Sequence, residues 1–234
     1  KKGARSYYPL FCTLAQTGQV IDFLHRPGNV HDSNGAKAFI LAGIDAVRAV
    51  APQAINEVRM DSAFFSDEIV DALLDREVQY TLSVPFERFT ELKAMIEQRR
   101  RWRWFNAESS YFEAAWKPRC WDSRFRFIFI RTKTKKQQKG PVQLDLFVPY
   151  DYGYDFKVIV TNKTISAKRV AAYHEGRGSQ EGIFGELKSH CHQDYIPVRS
   201  QCGNQVYLLA GLFAHNLMRE LQMQTITPCR GTTA

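Results

Sequence analysis

The chain has 234 residues, 44% of them hydrophobic, 24% charged and 13% aromatic, a composition that excludes an intrinsically disordered polypeptide. Lys and Arg number 32 against 24 Asp and Glu, a formal charge of +8, which favours a polyanionic partner such as nucleic acid. The longest apolar run spans only Val206 to Ala214, well short of the roughly 20 residues of a membrane helix, so no membrane partner is expected. The five cysteines, at positions 12, 120, 191, 202 and 229, are odd in number and widely spaced. That pattern fits a reducing compartment better than a disulfide framework.

The opening stretch, Lys1 to Ala15, loosely mimics a secretory signal. Pro9 interrupts it, however, and Tyr7-Tyr8-Pro9-Leu10-Phe11 reads as the start of a strand. Tyr7–Leu14 and Val20–His25 flank a Thr17-Gly18 turn and predict a hairpin. Arg26-Pro27-Gly28-Asn29 ends that element. Ser33 or Asn34 then caps a helix to about Val50, with Phe39, Ile40, Gly43, Ile44 and Val47 on its apolar face. Ile55–Met60 reads as a short buried strand ending at Asp61. Ser66 and Asp67 open a helix carrying Ile69, Val70, Leu73 and Leu74, and alternating Val78, Tyr80, Leu82 and Val84 form the next strand. Strand, helix and strand within about 30 residues make a βαβ unit with parallel pairing. Glu87–Arg100 is a further helix.

The character changes at Arg101. Phe125, Phe127 and Phe129 alternate with Arg124, Arg126 and Ile128, which predicts a strand with Phe on one face and Arg mostly on the other. Val142 to Phe147 alternates likewise. These two strands are expected to form a hairpin whose tip, from Arg131 to Gly140, holds Lys133, Lys135, Lys136 and Lys139. Phe156–Thr161 is another strand. Helical patterning returns over Tyr173–Ser189 and Asn204–Leu221. The layout is an α/β unit, a β-rich insert, and helices that rejoin the first unit.

Two places attract chemistry. Asp61 stands where a strand ends, the position at which functional groups gather in open α/β sheets. A carboxylate there binds a hard cation or simply caps a turn. On one continuous helix, Tyr173, Arg177, Glu181 and Lys188 fall within one broad face at about 100° per residue. Such a face is no core stripe; the alternative is a solvated helix with Arg177–Glu181 as an i,i+4 pair. His190, Cys191, His192 and Cys202 do not have the spacing of a structural zinc site. Gly176-x-Gly178 lacks the strand and third glycine of a phosphate loop.

The combination resembles the DDE transposases of bacterial insertion sequences that carry a Tyr-Arg-Glu-Lys helix motif and a β-rich insertion. The likeness rests on four stretches. They are Tyr8-Pro9-Leu10 through Arg26-Pro27-Gly28-Asn29, Val58-Arg59-Met60-Asp61-Ser62, the Arg177-x3-Glu181-x6-Lys188 spacing after Tyr173, and Asn204 to Leu217. It implies an α/β fold with an RNase H-like (retroviral integrase-like) core. Residues 1–100 and 166–234 would form that core, and 101–165 would be the insertion. It implies cleavage and rejoining of DNA with two divalent cations, Mg²⁺ or Mn²⁺. Asp61 would be the second acidic ligand and Glu181 the third. Arg177 and Lys188 would contact phosphates of the transposon end, and Tyr173 would help position that end.

Glu175 and Glu186 are displaced from Glu181 by about 120° and 140° around a helix, so the spacing favours Glu181. The resemblance also implies inverted-repeat ends and target DNA as partners, a homodimer when assembled on DNA, and action in the bacterial cytoplasm at the nucleoid. The family's first Asp belongs on a strand upstream of the opening hairpin, and Asp22 and Asp32 fall in the wrong elements. The expectation is therefore a truncated chain with an incomplete metal site, and a catalytically incomplete remnant that only binds DNA is the competing reading. Some relatives with this insertion hold a flipped base with a Trp. Trp102, Trp104, Trp116 and Trp121 all qualify, and Arg101 and Arg103 beside the first two suit DNA backbone contact.

Overall fold

The computed structural model describes residues 6–31, 33–54, 56–134 and 153–225. The chain divides into two compact units, Lys1–Pro52 with Glu175–Ala234, and Gln53–His174. It crosses between them at 52/53 and 174/175.

The unit Gln53–His174 is built on one six-stranded sheet. β3 (Glu57–Met60) runs parallel to β4 (Gln79–Ser83), and α2 (Asp67–Asp75) connects them. This is the βαβ unit that the sequence predicts. Ser66 caps α2 by accepting from the Ile69 amide, a standard N-cap bond. α3 (Thr90–Glu97) is shorter than its predicted range, because a 3₁₀ turn at Phe86–Arg88 takes the first residues. Beyond β4 the sheet continues through β8 (Tyr154–Thr161), β7 (Phe125–Lys133), β6 (Ser109–Trp116) and the two-residue edge strand β5 (Arg103–Trp104). The described strands of 101–165, β5 to β8, therefore extend the sheet that β3 and β4 begin.

The predicted partner of the Phe-rich strand is corrected. β7 pairs with β6 along one edge and with β8 along the other. Both edges of β7 are thus occupied by described strands. Val142–Phe147 and the lysines at 135, 136 and 139 lie outside the described residues; Lys133 ends β7 and is exposed. The alternation in β7 does not mark one wet face either. Phe127, Ile128, Phe129 and Ile130 are all buried. Ile128 and Ile130 pack with Ile159 against Ala167, Val170 and Ala171 of α4 (Ala167–Glu175), while Phe129 stacks on Phe112 on the opposite face, centroids 4.3 Å apart. Arg126 is bound within the protein, its Nε and Nη2 both meeting Glu113 Oε2 and its Nη1 donating to the carbonyls of Lys163 and Ile165.

The unit Lys1–Pro52 with Glu175–Ala234 begins with the predicted hairpin, β1 (Leu10–Thr13) antiparallel to β2 (Val20–Leu24). Gly18 supplies the positive φ of 74° that its turn requires. α1 (Ala36–Val50) follows; its N-cap is Gly35, at φ 72°, and not the expected Ser33 or Asn34, and no side chain caps it. α5 (Ser179–Cys191) and α6 (Gln201–Thr225) lay Ile183, Leu187, Leu208 and Leu212 against Val20 and Phe23. Asn216 fastens α6 to the hairpin by bonding both the amide and the carbonyl of Val20.

Candidate active site

Asp61 directly follows β3, at the carboxyl end of a strand in the parallel pair. It is half-buried, and its Oδ1 accepts from the Ser62 amide and, at 3.2 Å, from the Ser62 hydroxyl. It thereby caps the 3₁₀ turn Ser62–Phe64. Capping and cation binding are compatible, because a carboxylate has two oxygens and about four lone-pair sites. The loop after Asp61 is packed down by Phe65, stacked on Trp121 with centroids 4.9 Å apart.

Tyr173 lies in the last turn of α4, and it is held within the protein. The Arg59 guanidinium stands 4.7 Å from its ring centroid and donates to its carbonyl oxygen at 2.9 Å. The Lys163 ammonium stands 4.3 Å from the same centroid. Lys163 is buried, paired with Glu57 and bonded to Gln79 Oε1 at 3.0 Å. Burial and the adjacent, hydrogen-bonded Glu57 carboxylate push the Tyr173 phenol well above its ordinary value, with Arg59 opposing. Next to it, His174 is fully buried, its Nε2 2.8 Å from Ser83 Oγ and its Nδ1 2.9 Å from Thr81 Oγ1. Sequence reading missed Arg59, Lys163 and His174. Its available signal was a cation inside an apolar strand, Val58-Arg59-Met60, since a buried charge needs partners.

The segment from Tyr173 to Lys188 is not one α-helix, as the sequence suggests. α4 ends at Glu175, a 3₁₀ turn covers Gly176–Gly178, and α5 starts at Ser179. Arg177 lies in that turn and is half-buried. A tighter turn shifts the angular position of everything beyond it, so a single face cannot be drawn from Tyr173 through Lys188. Within α5 a shared face remains. Glu181 and Lys188 are seven residues apart, share a face and are exposed, while Ile183 and Leu187 are buried on the other side. Glu186 is withdrawn from that face, its Oε2 3.8 Å from His215 Nδ1. Asp61 and Tyr173 belong to one compact unit; Arg177, Glu181 and Lys188 belong to the other. Among the described residues, no group of three or more His, Cys, Asp or Glu is arranged to hold a metal ion.

The four tryptophans separate cleanly. Trp116 and Trp121 are buried. Trp102 is half-buried, set edge-on to Phe112 and covered by Arg131. Trp104 is 72% exposed on edge strand β5, and Arg99, Arg100, Arg101 and Arg103 around it are exposed too.

Among protein families, the model described as transposase DDE domain group 1 matches residues 2–234. No curated protein matches the chain. No helix among the described residues is long and apolar enough to cross a membrane.

Proposed function

We propose a reaction for this chain, which belongs to the DDE transposase family: metal-dependent cleavage of DNA at the ends of a bacterial insertion sequence, followed by transfer of the freed 3′-hydroxyl to target DNA. The observation that carries the reading is Asp61 at the carboxyl end of a parallel strand in a chain whose family match spans residues 2–234. In this reading 1–100 and 166–234 supply the RNase H-like core, and 101–165 is the insertion, grown onto the core sheet. The protein works in the bacterial cytoplasm at the nucleoid, as a homodimer on inverted-repeat ends.

The donor set suits the cation that the family implies. Asp61 and Glu181 offer carboxylate oxygens, the ligands Mg²⁺ prefers, and two carboxylates leave positions for water and phosphate. Asp61 and Glu181 would be ligands for the divalent cations, Mg²⁺ or Mn²⁺, that the family implies, and the chemistry such ions would supply is charge neutralisation during phosphoryl displacement. The remaining work falls to the chain itself. Arg177 and Lys188 bind phosphates of the transposon end and fix the scissile bond for in-line attack. Tyr173 contributes through the segment it anchors. Arg101 and Arg103 neutralise backbone charge beside Trp104, whose open ring stacks on an unpaired base.

The test is incubation with end-containing DNA and Mg²⁺ or Mn²⁺. Strand cleavage that requires Asp61 and Glu181 supports the reading. Salt-sensitive binding without cleavage supports a DNA-binding remnant.

A further inference from the structure

We propose that Arg59 is a positioning residue: its grip on Tyr173 locks the end of β3, and with it Asp61, to the last turn of α4. In the last turn of α4 the Tyr173 carbonyl accepts from the Arg59 guanidinium at 2.9 Å. The same guanidinium lies over the Tyr173 ring, so one side chain holds both the backbone and the side chain of one residue.

A second residue of β3 reaches the same ring through Lys163. Glu57 and Arg59 lie two residues apart on β3, on one face of the sheet. Glu57 binds Lys163, whose ammonium stands over the Tyr173 ring beside Arg59. β3, the segment after β8 and α4 thus close a ring of contacts around Tyr173. Asp61 follows Arg59 by two residues, and its carboxylate is oriented by the Ser62 amide. Rotation or fraying at the end of β3 would displace that carboxylate first.

The proposal rests on Asp61 being a metal-binding carboxylate, and two measurements on the full chain separate the two claims. In the absence of metal, hydrogen exchange is followed at Ser62, Phe64 and Phe65, whose amides bond to Asp61 Oδ1, the Asp61 carbonyl and the Ser62 carbonyl. Arg59→Met should speed these amides about tenfold, the loss expected for one partly desolvated cation–π contact. Arg59→Lys should speed them less, and β6 and β7 amides should not change. No acceleration at the turn, or equal acceleration in β6 and β7, overturns the proposal.

Mn²⁺ binding is then read by water proton relaxation. Asp61→Asn should abolish binding and Arg59→Met should weaken it, with partial rescue in Arg59→Lys. If Asp61→Asn binds like the parent, the metal reading fails and takes Arg59's role with it. If only Arg59→Met binds like the parent, Arg59's role alone fails.

Discussion

The guanidinium of Arg131 lies 4.5 Å from the ring centroid of Trp102, while Trp104, two residues on, is 72% exposed. One face of Trp102 is thus occupied by a protein cation, and its neighbour carries an open ring amid exposed arginines. Of the four sequence candidates, Trp104 is the one with a largely exposed ring. Trp104→Ala should weaken binding to DNA with an unpaired base by about 1–3 kcal/mol and leave Tm unchanged. Trp116→Ala should instead destabilise the fold by about 3–5 kcal/mol. Fluorescence titration and thermal melts distinguish the two.

Arg101 and Arg103 are exposed beside Trp104, so their contribution is sequence-independent charge. Arg101→Gln and Arg103→Gln should each reduce the slope of log affinity against log salt by about 1. Filter binding across a salt series with specific and random duplexes checks this; the loss should be equal on both.

Glu181 is exposed and lies opposite the buried Ile183 and Leu187, so its carboxylate can be neutralised without disturbing the core. Glu181→Gln should lower metal-dependent cleavage by about two orders of magnitude or more while DNA affinity and Tm hold. Glu186→Gln, beside His215, should retain cleavage.

His174 is fully buried between two hydroxyls. His174→Leu fills much of the space but strands Thr81 Oγ1 and Ser83 Oγ. The expected cost is about 2–4 kcal/mol, measured by urea denaturation.

Burial, then the nearby Asp22 carboxylate, push the Cys12 thiol up to about 11. A raised thiol value means that folding favours the protonated form, so reactivity is suppressed until pH approaches that value. At pH 9 only about one molecule in a hundred carries the thiolate. Iodoacetamide should therefore label the exposed Cys120 and Cys202 well before Cys12, with the Cys12 rate climbing tenfold per pH unit up to about 11.

Local pattern alone determined much of this protein. The opening hairpin, the βαβ unit around Asp61, the two late helices and the face that pairs Glu181 with Lys188 follow from side-chain periods of 2 and 3.6, which are properties of neighbours in the chain. Tertiary structure decided the rest. The Phe-rich β7 took β6 and β8 as partners, because pairing is a choice among distant strands that periodicity does not encode. The helix expected from Tyr173 broke into α4, a 3₁₀ turn and α5. Which tryptophan stayed open depended on rings and cations arriving from other strands. Lys163 and His174 acquired their roles only when folding buried their polar groups, and Arg59 only when folding brought Tyr173 beside it.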